Sequence, residues 1–421
     1  MRIFFSVGEP SGDLHGSNLI RHLKSQSFVQ DGRPAQIECV GFGGPKMEAA
    51  GCHLHYDLTT LAVMFFWQAL KNLRFFFKLI GQADQYFAEN EVDAVVLIDY
   101  PGFNWWIARK AKKHGIPVFY YGVPQMWAWA PWRIKKIKRF VDHVICKLPF
   151  EAKWFQDRGC NATYVGHPYF DQIEHQELDS EFLEQMSSDT GPLLTLLPGS
   201  RDQEVESVLP ILLDAAAEVL ETLPNCRVAV ASYNQKQLEV AQEQISQLNQ
   251  ELPIDVFVDR TPELMQTADV CLACSGSVSL ELMHYRKPTI IVFKVRRWMM
   301  WAQSIMLNAK YITLVNLMAT NDIRKTTWNA YDPDAPDAEE TVMPEYLTTG
   351  NPSSSVAKRA IELLSDNAKR NQAIYRLDEL AQKYARPGAT RRAGDYLATQ
   401  LGLTAVPTGD EFENQSARKS A

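Results

Sequence analysis

Ile3-Phe4-Phe5-Ser6-Val7-Gly8-Glu9-Pro10-Ser11-Gly12-Asp13-Leu14-His15-Gly16 decides the fold. A nearly continuous apolar run enters a glycine-rich turn, and the turn opens a helical pattern. A strand covered on both faces reads this way, and the loop that follows it is where an open α/β sheet binds ligands. The same grammar recurs at 37–41, 94–98, 118–121 and 143–146, and again at 193–197, 228–231, 255–258, 270–273 and 289–293. Helical patterns lie between these runs, so parallel βαβ units are expected. A polar stretch over 171–191 interrupts them. The expected architecture is α/β, with two Rossmann-like doubly wound domains at 1–180 and 190–310 and a ligand cleft between them. No strand is expected after Phe293. Helices over 311–403 follow, and 404–421 reads as a disordered tail.

Composition excludes several classes. The 421 residues carry a net charge of −7, without the basic surplus of a nucleic-acid binder. The seven cysteines are odd in number and scattered, so no disulfide framework is expected. Cys271 and Cys274 form a CxxC pair with no second pair to complete a zinc site, and core packing is the simpler role. The N-terminal apolar run is too short for a signal peptide, and no uninterrupted span of about 20 apolar residues exists to cross a bilayer. The chain is therefore expected to be soluble or attached to a membrane by one face.

The loops after the strands carry the chemistry. In Gly8–Gly16 the spacing is neither GxGxxG nor GxxxxGK[ST], so dinucleotide and P-loop binding are not supported. Glu9, Ser11, Gly12 and Asp13 suit a hydroxyl-bearing ligand, although a tight turn with a helix cap needs the same residues. Gly41-Phe42-Gly43-Gly44-Pro45 is a second such loop. Asp99, in Asp99-Tyr100-Pro101-Gly102-Phe103-Asn104, is a carboxylate at a strand end, placed either to accept a proton or to cap the next helix. In the second half, Leu197-Pro198-Gly199-Ser200-Arg201-Asp202-Gln203-Glu204-Val205 would offer backbone N–H groups and the Arg201 guanidinium to phosphate oxygens, or simply pair Arg201 with Glu204. Ser275-Gly276-Ser277 opens another helix, and Glu281 lies one turn on, where it could hold ribose hydroxyls.

The segment 61–80, LAVMFFWQALKNLRFFFKLI, aligns Phe66, Leu70, Leu73, Phe77 and Ile80 on one helical face, with Phe65 adjoining. Lys71, Arg74 and Lys78 align on another. Greasy and cationic faces together suit an anionic membrane surface or an acyl-chain slot, and equally an amphipathic core helix. Trp127-Ala128-Trp129 with Arg133 to Arg139, and Arg296-Arg297-Trp298, repeat the theme. Asp332-Pro333-Asp334 spells DxD but lies in an acidic loop, and His53 with His55 lacks a third ligand, so no metal is expected. His167 ends the first domain at Val165-Gly166-His167-Pro168.

In this order, these loops resemble the lipid-A-disaccharide synthase family. The matching elements are Gly8-Glu9 with Ser11-Gly12-Asp13 and Gly16, Gly43-Gly44-Pro45, Asp99 with Pro101, Phe103 and Asn104, and Trp127-Ala128-Trp129. Leu148-Pro149-Phe150-Glu151, Gly166-His167, Leu197 to Arg201 with Glu204-Val205, Ser275-Gly276-Ser277 with Glu281, and Asn316-Leu317 continue the series. The resemblance implies the GT-B fold, an N-terminal acceptor and membrane-facing domain, and a C-terminal UDP-sugar-binding domain. It implies an inverting transfer of acylated glucosamine from UDP to a phosphorylated lipid acceptor, 2,3-diacylglucosamine 1-phosphate, giving a β-1,6 disaccharide. It further implies no metal or other cofactor, a peripheral position on the cytoplasmic face of the inner membrane, and a homodimer, with the helices over 311–403 either returning to the N-terminal domain or exchanged in the dimer. Asp99 would be the base. Gly199, Ser200, Arg201, Ser275, Gly276, Ser277 and Glu281 would bind the UDP-sugar. Glu9, Ser11, Gly12, Asp13, Gly44, Asn104, His167 and Asn316 would line the acceptor side of the cleft. Another UDP-sugar transferase of this fold, a UDP-GlcNAc epimerase and a non-catalytic nucleotide-sugar binder are the alternatives.

Overall fold

The computed structural model describes residues 1–62, 73–174, 176–248, 251–300, 307–325, 331–336 and 338–406. Its contacts divide the chain into two units, Met1–Asp171 with Pro387–Ala421, and Gln172–Arg386.

The first unit is built on strands β1 (Arg2–Val7), β4 (Glu38–Gly43), β5 (His53–Asp57), β6 (Ala94–Ile98), β7 (Val118–Tyr121), β8 (His143–Cys146) and β9 (Ala162–Tyr164). They form one sheet in the order β5-β4-β1-β6-β7-β8-β9, parallel throughout, with Ile3 opposite both Cys39 and Ala94. Period-two alternation sends Ile3, Phe5 and Val7 to the face covered by Leu19, Ile20 and Leu23 of the helix Pro10–Ser25. Phe4 points the other way, edge-on to Phe42 and Phe87. Both faces are covered, which is why β1 reads as an unbroken apolar run. Two short strands, β2 (Phe28–Gln30) and β3 (Arg33–Ala35), pair antiparallel beside it.

The C-terminal segment completes this unit. The helix Ala389–Gln400 adds Ala393, Leu397 and Ala398 to the same core. Gly394 lies so close to the first helix that a Cβ there would stand 2.3 Å from the His22 ring, and the neighbouring Asp395 carboxylate is 2.9 Å from His22 Nε2. Strand β16 (Thr404–Ala405) then pairs antiparallel with β2, so the segment expected to be a disordered tail begins with two residues of sheet. Residues 407–421 lie outside the described residues.

The second unit orders its strands β12-β11-β10-β13-β14-β15, again all parallel. They are β10 (Leu193–Leu197), β11 (Arg227–Ser232), β12 (Ile254–Val258), β13 (Val270–Cys274), β14 (Thr289–Lys294) and β15 (Glu345–Thr348). Strand β15 corrects the expectation that strands end at Phe293. It has only four residues and pairs on one side only, so it carries no long apolar run to betray it. Its buried Glu345 carboxylate accepts the N–H groups of Ile312 and Thr313, satisfying a charge that argues against a strand from sequence alone. The polar stretch at 171–191 is likewise partly helical, since Asp179 caps the helix Ser180–Ser188 by accepting from Phe182 N–H. The run 311–403 is not one block: residues through Arg386 group with the second unit, and those from Pro387 with the first.

Each of the two parallel sheets has one place where the chain order reverses. In the first unit it lies between β1 and β6, in the second between β10 and β13. At such a switch point the two flanking loops leave the carboxyl edge in opposite directions and open a crevice.

Candidate active site

In the first unit the loops flanking the switch point are Gly8–Gly16 and the Asp99 turn. Both Asp99 and Tyr100 adopt left-handed backbone conformations, with φ of 46° and 42°. For side chains with a Cβ this is costly, and it persists only where the surroundings hold it. Two side chains do so here. Asn104 Nδ2 donates to the Asp99 carbonyl at 2.8 Å, and the buried Tyr120 hydroxyl donates to the same oxygen at 2.8 Å. The turn swings the Asp99 side chain to the sheet edge, where it keeps 21% of its exposure. Its Oδ1 accepts from Lys147 Nζ at 3.2 Å. A Cβ on Gly12 would come within 3.7 Å of its Oδ2.

Buried polar groups surround this pair. His15 and Lys147 lie within electrostatic reach of each other, and burial together with the Lys147 cation lowers the His15 imidazole to about 4. Glu151 is fully enclosed, accepts from Trp127 Nε1 at 3.3 Å, and is pushed up to about 7 by desolvation. The half-buried His167 accepts Tyr169 N–H at Nδ1, and burial holds its pKa well below the ordinary value. Glu9 is half-buried and Ser11 exposed, both at this edge.

Four residues expected to line the acceptor side are bonded to the protein's own backbone. Asp13 is 3% exposed, and its carboxylate accepts the N–H groups of Gly44, Lys46 and Met47 at 3.0 Å each, capping the helix Pro45–Ala49. Gly44 is glycine because a Cβ there would stand 2.7 Å from that carboxylate. Asn104 is fully buried: besides Asp99 it donates to the Ser6 and Ile98 carbonyls and accepts from Ser6 Oγ at 2.6 Å. Asn316 belongs to the second unit, where its amide donates to the Met343 carbonyl and the Glu345 carboxylate and accepts Met343 N–H. Polar type and loop position are the same for a ligand contact and a backbone clamp, so sequence could not separate them.

The second unit repeats the arrangement. Pro198–Arg201 follows β10 and Ser275–Ser277 follows β13, its neighbour across the switch point. Arg201 caps the 21-residue helix Asp202–Thr222 and remains 82% exposed. It does pair with Glu204, Nη1 to Oε1 at 2.9 Å, while Glu204 also accepts Arg201 N–H. Ser200, Gly276 and Ser277 are exposed, and Gly199 and Ser275 half-buried. Strands β10 and β13 are paired, with Leu197 opposite Ala273, so the two loops leave the sheet side by side. Glu281 is half-buried on the short helix Val278–His284. Cys271 and Cys274 are both buried core thiols, each pushed up to about 12 by desolvation.

Of the expected membrane-facing residues, Phe65, Phe66, Leu70 and Lys71 lie outside the described residues, and of Leu73 only the backbone is described. Arg74 and Lys78 are exposed on the helix Leu73–Glu89. Phe77 is 50% exposed, edge-on to the exposed Trp106 with ring centroids 5.9 Å apart. Trp129 and Trp132 are also exposed, and Lys136 sits 5.7 Å from the Trp105 ring centre. No helix among the described residues is long and apolar enough to cross a membrane. Asp334 of the DxD sequence accepts from the Tyr346 hydroxyl and pairs with Arg359.

Lys147, Gly122, Tyr120 and His15 were not singled out from the sequence. Lys147 follows a strand end, so the rule that selected Asp99 applies to it equally. Lys147 directly precedes the motif Leu148–Glu151.

Two parallel-sheet units, each with its polar loops at the switch point, define the GT-B class of glycosyltransferases and sugar-nucleotide epimerases. Solved structures agree at the level of fold. The UDP-GlcNAc 2-epimerase from Neisseria meningitidis bound to UDP-GlcNAc superposes with a TM-score of 0.58 at 11% identity, covering 95% of this chain and all of that one. The kitacinnamycin glycosyltransferase gives 0.56 at 16% identity, covering 95% and 99%. Within this class the chain belongs to the lipid-A-disaccharide synthetase family, whose model matches residues 3–373. Curated relatives named lipid-A-disaccharide synthase include that of Trichlorobacter lovleyi, 32% identical over 327 residues (77% of this chain, 82% of the relative). That of Myxococcus xanthus is 29% identical over 397 residues, covering 94% and 96%.

Proposed function

We propose that the chain joins UDP-2,3-diacylglucosamine to 2,3-diacylglucosamine 1-phosphate, forming the β-1,6 disaccharide of lipid A and releasing UDP. Family membership supports the reaction. The observation that carries the mechanism is the Asp99 carboxylate, turned to the sheet edge by a strained, doubly clamped turn. Asp99 takes the proton of the acceptor's primary hydroxyl. That oxygen bonds to the anomeric carbon from the face opposite UDP, the bond from that carbon to the diphosphate oxygen breaks, and UDP departs with the electron pair. The second unit binds the donor: Arg201 and the backbone N–H groups of the Gly199–Ser200 and Ser275–Ser277 loops take the charge of the diphosphate, and Glu281 the ribose. With a guanidinium in that role the transfer runs without a metal.

The decisive assay is UDP release from the diacylated donor and acceptor, with and without EDTA. Asp99→Ala is expected to lower turnover by about 10²–10⁴-fold with UDP affinity unchanged by calorimetry; wild-type turnover would remove the base. Arg201→Ala is expected to weaken UDP binding. Acceptor-independent C2 inversion of UDP-GlcNAc would point to an epimerase instead. Exposed Phe77, Trp106, Trp129 and Trp132 beside Arg74, Lys78 and Lys136 support docking of the first unit on an anionic lipid surface. Flotation with anionic but not neutral vesicles is the corresponding test.

A further inference from the structure

The base does not stand alone. Strands β6, β7 and β8 are consecutive in the first sheet, and the residues just past their ends are Asp99, Gly122 and Lys147. Lys147 reaches across the middle strand to Asp99, with Nζ 3.2 Å from Oδ1 and both side chains about one-fifth exposed. The crossing is open because Gly122 has no side chain. A Cβ there would stand 2.8 Å from Asp99 Oδ1 and 2.8 Å from Lys147 Nζ, and Gly122 also sits at φ 66°, where other residues are strained.

The two carboxylate oxygens are thereby made different. Oδ1 is engaged by the ammonium. Oδ2 lies toward Gly12 of the first loop, 3.7 Å from where a Cβ on that residue would stand. An ammonium on one oxygen restrains the carboxylate and leaves the second oxygen as the one available to take a proton. Lys147 also acts electrostatically on the enclosed Glu151, which accepts from Trp127 Nε1.

We propose that Lys147 is a positioning residue for the transfer: it holds the Asp99 carboxylate through Oδ1 so that Oδ2 receives the acceptor's proton, and Gly122 is the opening through which it does so. The proposal rests on the reading of Asp99 as the base. It differs from a role for Lys147 in gripping the acceptor phosphate, which would act on binding.

Steady-state kinetics of UDP release by the full-length protein separate these roles. Lys147→Met keeps the aliphatic stem and is expected to lower kcat by about 10–100-fold, the scale on which a misplaced catalytic group costs rate, with KM for donor and acceptor within about twofold. Lys147→Arg, which restores a cation, is expected to regain most of the loss. Gly122→Ala, which closes the crossing, is expected to reproduce Lys147→Met and gives a second route to the answer should that variant fold poorly. In an Asp99→Asn background, Lys147→Met is expected to cost nothing further, because the two act as one unit. Wild-type kcat for Lys147→Met, a raised acceptor KM with kcat intact, or an equal loss on top of Asp99→Asn would each overturn the proposal. Wild-type turnover of Asp99→Asn alone would instead overturn the assignment of the base.

Discussion

At the scale of single residues, one carboxylate is worth more to stability than its loop position suggests. Asp13 satisfies three backbone N–H groups, two of them buried. Its replacement by Ala leaves those donors without a partner and opens a gap beside Gly44. We expect Asp13→Ala to cost about 2–4 kcal/mol, read as a lower urea midpoint. Glu151 makes the opposite prediction. Desolvation raises its carboxyl from 4.5 to about 7, so between those values the folded state binds a proton that the unfolded state has released. Its contribution to stability is therefore complete below about pH 4.5 and lost as pH rises through about 7. Relative to Glu151→Gln, which keeps an acceptor for Trp127, the wild type should lose on the order of 1–3 kcal/mol between pH 4.5 and pH 8; a pH-independent difference between the two would refute this. The contrast shows what was legible. That polar residues gather at the strand ends follows from the pattern of apolar runs. Whether Asp13, Asn104 or Asn316 faces a ligand or its own backbone depends on which N–H groups a distant loop brings within 3 Å, and no local pattern encodes that.

At the scale of elements, ten apolar runs read from the sequence all became strands, because strands covered on both faces must be apolar along their length. The strands that escaped were short or polar. His53–Asp57 alternates His53 and His55 with Leu54 and Tyr56 at the sheet's end, and Glu345–Thr348 pairs on one side only. The helix Ala389–Gln400 shows another limit of local reading: its small apolar face of Ala393, Leu397 and Ala398 fits only when opposed by Leu19, Ile20 and Leu23, nearly the whole chain away. A chain ending at residue 386 would bare that first helix. We expect it to lose the cooperative thermal transition of the first unit and to aggregate; an unchanged melting profile would show that the helix is dispensable.

At the scale of the whole molecule, the reversal of strand order occurs once in each of the two parallel sheets, and both candidate half-sites fall beside it. This follows from topology rather than from any motif, and it explains why, within each unit, two loops far apart in sequence fall side by side. The second unit is continuous in the chain, and all six strands of its sheet lie within Gln172–Arg386. Residues 172–386 expressed alone are therefore expected to unfold cooperatively and to bind UDP, with Arg201→Ala weakening that binding in calorimetry. A fragment that stays unfolded would show that the two units are one thermodynamic body.

The split first unit also sets an order of events on the ribosome. Its sheet is translated first, yet the helix that closes its core emerges only after the entire second unit has been made. The later-born half can thus reach its native state while the earlier one waits with Leu19, Ile20 and Leu23 uncovered, a long-lived apolar surface that chaperones would need to shield during synthesis.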